Sequence, residues 1–203
     1  MKRAAAAAAI LAANAVAVSL PRIAFGALHD MRFALLLVLA SLFCAVDLTA
    51  RGSDALAATR GRSIVALETA TAIALLATFW IAQILATAPR VTFVIVGCAL
   101  MLTGCALRFA AIRTLGAYFV SELQFVDGQQ RIRRGVYRWI THPSELGLLL
   151  VPLGAAILTG SVTAALMWLG VVVPLTVERV RRENAFLRPL TPAPLPAPRG
   201  EGT

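Results

Sequence analysis

The sequence predicts an all-α fold, a polytopic transmembrane helical bundle of about six spans. The chain has 203 residues, 59% of them hydrophobic, and a mean hydropathy of +0.80. Soluble domains contain about 45–50% apolar residues. The apolar residues here fall into runs of about 17–24, long enough to cross a hydrocarbon core of roughly 30 Å. Because no water satisfies backbone groups there, such runs must be helices.

The spans follow from the apolar runs and from the residues that end them. Pro21 is expected to end or kink the first helix, and Gly116 to end the helix that contains the fourth span. Thr159-Gly160-Ser161 leaves room only for a tight turn, so spans five and six form a hairpin whose second helix continues through Glu183. The six spans are predicted at residues 4–20, 33–50, 64–86, 91–110, 145–160 and 162–178.

The first 29 residues also resemble a secretory signal, with Lys2-Arg3 before an alanine-rich core. An uncleaved first span is the simpler interpretation, since five further spans follow it. Asp47 and Glu68 are ionisable groups within spans two and three, which makes them functional candidates. Both lie about a turn from the interface, and Asp47 has Arg51 four residues on, so a structural role is the favoured interpretation.

The net charge is +9, and the distribution of the basic residues predicts how the protein is oriented in the membrane. With the N-terminus inside, sixteen of the 19 basic residues fall in cytoplasmic segments, and only Arg22, Arg32 and Arg90 face outward. This bias is the positive-inside pattern. It predicts a multi-pass protein of the inner (plasma) membrane with both termini cytoplasmic, whose partner is the lipid bilayer and not nucleic acid.

Three cysteines lie within the predicted spans, namely Cys44, Cys98 and Cys105. An odd number of membrane-embedded thiols is not a disulfide framework, and their spacing is not that of a metal site.

The longest polar stretch is expected where the chain leaves the membrane, from Arg108 to Thr141. The hairpin of spans five and six should then bring four ionisable residues together at the inner surface: His142, Glu145, Arg179 and Glu183. Such a cluster suits a site for a polar cofactor and an amphiphilic substrate. The alternative is a solvated basic rim.

An ordered set of short motifs in the C-terminal half resembles the isoprenylcysteine carboxyl methyltransferase family and the related phospholipid methyltransferases. The resemblance covers roughly residues 91–188 and implies an integral-membrane enzyme that uses S-adenosylmethionine. The motifs are Leu107-Arg108, Thr114-Leu115-Gly116, Gly135-Val136-Tyr137, His142-Pro143-Ser144, Arg179 and Glu183-Asn184-Ala185-Phe186-Leu187.

By position, the resemblance implies that Arg179 orients the substrate, for which a carboxylate or a lipid-like amphiphile is expected. It also implies a set of cofactor contacts: Gln124, Gln129, Gln130, Arg131, Ile132, Tyr137, His142, Pro143, Ser144, Glu145 and Glu183. A glutamate suits the cofactor's ammonium group, and an arginine suits a carboxylate.

The sequence departs from the family pattern at three positions. Thr141 replaces an arginine, Glu145 a tyrosine, and Asn184 the second residue of a Glu-Glu pair. Two alternatives therefore stay open: a non-catalytic membrane protein that keeps the fold, and a membrane reductase that uses a nicotinamide cofactor. No Gly-x-Gly-x-x-Gly loop is present, which excludes a Rossmann-type domain.

The sequence thus predicts three regions. Residues 1–90 form N-terminal transmembrane helices without a recognised motif, and residues 91–188 form the methyltransferase-like membrane domain. Residues 189–203 are rich in proline and are expected to be a disordered tail.

Overall fold

The structure is a computed structural model that describes residues 2–25, 31–49, 62–116 and 134–187. Some expectations fall outside these ranges: the pairing of Asp47 with Arg51 and the disordered tail at 189–203. They stay predictions.

The described residues form helices joined by turns, with no strand in those ranges, which confirms the predicted all-α fold class. A 3-10 turn, Gly135–Arg138, precedes the C-terminal hairpin, and a π-helical segment, Trp168–Val172, separates the last two helices. The helices are α1 (Lys2–Phe25), α2 (Met31–Leu48), α3 (Arg62–Ile84), α4 (Val91–Leu115), α5 (Pro143–Thr159), α6 (Val162–Met167) and α7 (Val173–Leu187).

Five stretches are long and apolar enough to cross a membrane: Ala4–Ala24, Met31–Leu48, Ala66–Ile84, Val91–Leu115 and Val162–Arg182. The fifth predicted span corresponds to α5, which is apolar but has only 17 residues. At 1.5 Å per residue, α5 is about 26 Å long. It is also the most enclosed helix, with contacts to α2, α3, α4, α6 and α7. The chain is therefore a polytopic helical bundle with a short helix inside it.

Two predicted helix ends can be compared with the structure. Pro21, expected to end or kink the first helix, does not end it, because α1 continues to Phe25. Helix α4 ends at Leu115, where Gly116 has a φ of 56°, as predicted. Arg108, expected where the chain leaves the membrane, lies within α4 and is buried. Arg108 remains in the bundle because other helices provide partners for its guanidinium group.

Glycines set the closest helix pair in the fold. Helices α4 and α5 run antiparallel, and a Cβ added at Gly97 would lie 2.7 Å from the backbone oxygen of Gly154. The same relation repeats one heptad away, where a Cβ on Gly104 would lie 2.8 Å from the backbone oxygen of Gly147. Small residues allow such close approach in membrane bundles. The two glycine pairs therefore fix the register of α5 on α4.

The predicted hairpin of the last two spans is confirmed. Gly160 ends α5 in the left-handed region, and the Ser161 side chain caps α6 by accepting from the Ala164 backbone N–H. Right-handed helical geometry at both junctions makes α6, the π-helical segment and α7 one continuous rod. The predicted continuation past Glu183 is confirmed too, since α7 ends at Leu187.

The core lies between the helices, and large apolar side chains cover the outside. Leu36, Met101 and Leu158 are fully buried, whereas Phe93 and Val162 are 51% and 71% exposed. A bundle that is apolar both inside and outside is the pattern expected of a protein surrounded by lipid tails. Cys44, Cys98 and Cys105 are not joined to one another by disulfide bonds.

Candidate functional site

Five ionisable or polar side chains from four helices meet at one end of the bundle. They are Asp47 of α2, Arg108 of α4, Ser144 and Glu145 of α5, and Arg179 of α7. We call this group the polar end.

Arg108 links three helices within the polar end. Its Nε donates to Oδ1 of Asp47 at 2.8 Å, and its Nη1 donates to Oγ of Ser144 at 2.8 Å. The guanidinium carbon also lies 5.5 Å from the centre of the Phe43 ring. Arg108 is only 3% exposed, and a buried charge of this kind requires a partner. The carboxylate of Asp47 supplies that partner from the N-terminal half of the chain.

The close glycine contacts between α4 and α5 explain why Arg108 reaches Ser144. A Cβ on Gly147 would lie 2.6 Å from the backbone oxygen of Gly104 and 3.2 Å from the backbone nitrogen of Arg108. Larger residues here would separate the helices and move Arg108 away from the start of α5.

The second ion pair of the polar end joins the two helices of the hairpin. Nε of Arg179 lies 3.0 Å from Oε1 of Glu145, and the two side chains are 10% and 9% exposed. The other carboxylate oxygen of Glu145, Oε2, is buried and has no hydrogen-bond partner among the residues that the structure describes. Such an oxygen is costly to leave unsatisfied, so it is well suited to accept a hydrogen bond from a ligand.

The start of α5 holds four of the predicted site residues in consecutive positions. His142 is the N-cap residue, and its carbonyl accepts the first helical hydrogen bond, from the backbone N–H of Leu146. Pro143 begins the helix two residues before the predicted span, because its fixed φ and missing N–H suit the first helical position. Glu145 lies in the first turn, where the helix dipole favours a negative charge.

The 3-10 turn packs against the end of α4. Gly135 has a φ of 58°, and a Cβ added there would lie 2.8 Å from Oγ1 of Thr114, so glycine is needed on both counts. The half-buried Tyr137 side chain packs against the apolar cluster of Val46, Ala111 and Ile112. The turn therefore holds Tyr137 near the polar end, although no described contact joins it to Glu145.

The remaining predicted site residues are only partly described. Glu183 lies in α7, one helical turn beyond Arg179, but its side chain is outside the described part of the structure. Gln124 and the run from Gln129 to Ile132 lie wholly outside it. Their assignment as cofactor contacts stays a prediction.

Asp47 and Arg108 were missed as parts of the site. We expected Asp47 to have a structural role near the membrane interface and Arg108 to mark the exit from the membrane. The available signal was an acidic and a basic residue within two separate apolar helices, since such charges usually pair. The heptad spacing of Gly97 and Gly104 was a second signal, because it identifies the face of α4 that also carries Arg108.

Glu68 of α3 is half-buried, and its Oε1 is buried without a hydrogen-bond partner among the described residues. No described contact connects it to the polar end. Within the described ranges, no group of three or more histidine, cysteine, aspartate or glutamate side chains has the arrangement of a metal site.

Comparison with known protein families identifies the part of the chain that carries most of the polar end. The sequence model of the isoprenylcysteine carboxyl methyltransferase (ICMT) family matches residues 95–189. No curated protein and no solved structure matches the chain. The matched range contains Arg108, Ser144, Glu145 and Arg179, whereas Asp47 lies before it. Residues 95–189 of this membrane protein thus match the isoprenylcysteine carboxyl methyltransferase family.

Proposed function

We propose that the protein is an integral-membrane, S-adenosylmethionine-dependent methyltransferase that acts on an amphiphilic substrate at the cytoplasmic face of the inner membrane. The family domain at residues 95–189 supports methyl transfer. The observation that carries the proposal is the buried Glu145–Arg179 pair, because it holds a carboxylate oxygen open at the polar end of that domain.

The residues at the polar end fit the proposed cofactor. S-adenosylmethionine carries positive charge on its sulfur and its amino group, and it supplies a methyl group activated for transfer to a nucleophile. The buried carboxylate of Glu145 gives the polar end a negative charge that suits the positive charge of the cofactor. The hydroxyl of Ser144 accepts from Arg108 and retains its own proton for donation. His142 adds ring nitrogens at the same helix start.

Positioning is the main task left to the chain. Arg108 donates to Ser144 and is itself paired with Asp47, and Arg179 is paired with Glu145, so the first turn of α5 is fixed from two sides. Arg179 and its ion-pair partner Glu145 together have the role of orienting the substrate. Rigid placement of a nucleophile beside an activated methyl group replaces much of the entropy cost of the reaction.

The test is cofactor binding by the full-length protein in lipid nanodiscs, measured by isothermal titration with S-adenosylmethionine. We expect saturable binding by wild type and at least tenfold weaker binding by His142→Ala. The control is Glu178→Ala, which removes a partly exposed pair with Arg182 on α7 and should leave the affinity unchanged.

Titration with NADPH under the same conditions separates methyl transfer from reduction. Saturable NADPH binding without S-adenosylmethionine binding would replace the proposal with the reductase alternative. Binding of neither cofactor would favour a non-catalytic protein that keeps the family fold.

A further inference from the structure

Arg179 is already paired with a carboxylate of its own chain, that of Glu145. Its Nε lies 3.0 Å from Oε1 of Glu145 in an ion pair, and both side chains are about nine-tenths buried. A carboxylate binds arginine best through two parallel N–H···O bonds. Since Glu145 already uses Nε, the side of the guanidinium that includes this nitrogen is closed to a second carboxylate.

The charge balance of the pair points the same way. Glu145 neutralises Arg179 at close range, so a carboxylate brought to this position would meet a buried negative charge as well as the guanidinium. Like charges repel strongly where water is excluded. A ligand with a hydrogen-bond donor would instead donate to Oε2 of Glu145. This oxygen has no hydrogen-bond partner among the described residues.

We propose that Glu145 is a specificity-determining residue that closes Arg179 to carboxylate acceptors and selects amphiphiles whose nucleophile carries an N–H or O–H group. This inference rests on the proposed methyltransferase function and names the substrate class for the same site. The position of Glu145 supports it, because the first turn of α5 places its side chain next to Ser144 and opposite Arg179.

Methyl transfer to an N–H or O–H group releases a proton, and Glu145 is placed to accept it. The lone pair of the acceptor nitrogen or oxygen forms the bond to the methyl carbon as the carbon–sulfur bond breaks, and that electron pair stays on sulfur, which becomes neutral. The proton of the acceptor's N–H or O–H group passes to Oε2 of Glu145 and then to water. Glu145 is therefore a catalytic residue as well as a selective one.

The experiment compares three probes of equal chain length: dodecylamine, dodecanol and dodecanoate. Full-length protein in nanodiscs is supplied with S-adenosylmethionine that carries a labelled methyl group, and label transfer to each probe is measured. We expect wild type to methylate the amine or the alcohol at least tenfold faster than dodecanoate. The ratio of amine to alcohol identifies which donor the site prefers.

Glu145→Gln is the informative variant because it keeps the size and an oxygen that accepts from Arg179, but removes the negative charge. We expect the preference for donor probes over dodecanoate to fall at least tenfold. Glu178→Gln is the matched control, since it makes the same change in a partly exposed pair on α7 and should keep the wild-type ranking. Thermal unfolding of each variant shows that it is folded.

The outcomes separate the two proposals. Absence of saturable S-adenosylmethionine binding by wild type overturns the proposed function and this inference with it. Cofactor binding with dodecanoate as the preferred acceptor, or with transfer to none of the probes, overturns the inference alone. An unchanged ranking in folded Glu145→Gln also contradicts it.

Discussion

The interpretation of Glu145 and of Arg179 changes once the two residues are seen as a pair. The sequence presents Glu145 as a departure from a family pattern and Arg179 as a substrate-binding arginine. In the structure the two side chains form one buried ion pair. Oε2 of Glu145 is the buried atom of the pair that has no hydrogen-bond partner among the described residues.

Removing one partner of this pair should destabilise the protein more than removing both. Arg179→Met leaves the Glu145 charge buried without its partner, and we expect a loss of about 3–5 kcal/mol in the free energy of unfolding. The double variant Glu145→Met/Arg179→Met should unfold within about 1 kcal/mol of wild type, or be more stable, because two apolar side chains replace the ions. Equilibrium unfolding in mixed detergent micelles measures each value.

The partly exposed pair of Glu178 and Arg182 is the control for that comparison. Glu178→Met should change the free energy of unfolding by no more than about 1 kcal/mol, since exposed pairs contribute little. A loss from the double variant as large as that from Arg179→Met would contradict the prediction.

At the scale of elements, the α4–α5 pair is the frame on which the polar end is built. Two glycines a heptad apart on each helix bring the backbones together, and the resulting register places Arg108 beside Ser144. Helix α2 completes the frame because its Asp47 balances the charge of Arg108. The family domain therefore depends on a helix that lies outside the matched range.

Gly147→Ala should disturb this frame. The added Cβ would lie 2.6 Å from the backbone oxygen of Gly104, so one helix must shift. We expect a loss of about 1–3 kcal/mol in the free energy of unfolding from overpacking and weaker S-adenosylmethionine binding, since the start of α5 moves with the helix. Thermal unfolding and cofactor titration in nanodiscs measure the two effects.

Gly170→Ala is a suitable control for the glycine prediction because a Cβ at Gly170 meets nothing within 4 Å. This variant should keep the stability and cofactor affinity of wild type. Equal stability of the Gly147→Ala and Gly170→Ala proteins would show that the α4–α5 contact tolerates a larger residue.

For the whole molecule, the proposed orientation puts the polar end on the cytoplasmic side and the turn between α3 and α4 on the outside. Ala88 in that turn and Arg181 on α7 are both exposed positions. We expect a membrane-impermeant maleimide to label Ala88→Cys in intact spheroplasts, and to label Arg181→Cys only after the membrane is opened.

Wild type is the background control for labelling, since its cysteines, Cys44, Cys98 and Cys105, lie in membrane helices. Labelling of Arg181→Cys but not Ala88→Cys in intact spheroplasts would reverse the orientation. The active face would then be on the outside of the membrane.

The sequence by itself determined the features that depend on composition and local chemistry. Apolar runs specify membrane helices because the hydrocarbon core leaves the backbone no other partner. Gly116 and the Gly160 turn end their helices because glycine readily adopts a positive φ. The order of short motifs was enough to identify the family, and the hairpin placed Glu145 and Arg179 at the same end of the bundle.

Only the tertiary structure decided which charges pair. Asp47 and Arg108 are 61 residues apart in sequence, and their contact depends on how α2 and α4 pack. Periodicity places a residue on a face of its own helix but does not select the neighbouring helix. The bond of Glu145 to Arg179 likewise depends on the rotation of α5 against α7, and that rotation makes a departure from the family pattern the centre of the proposed site.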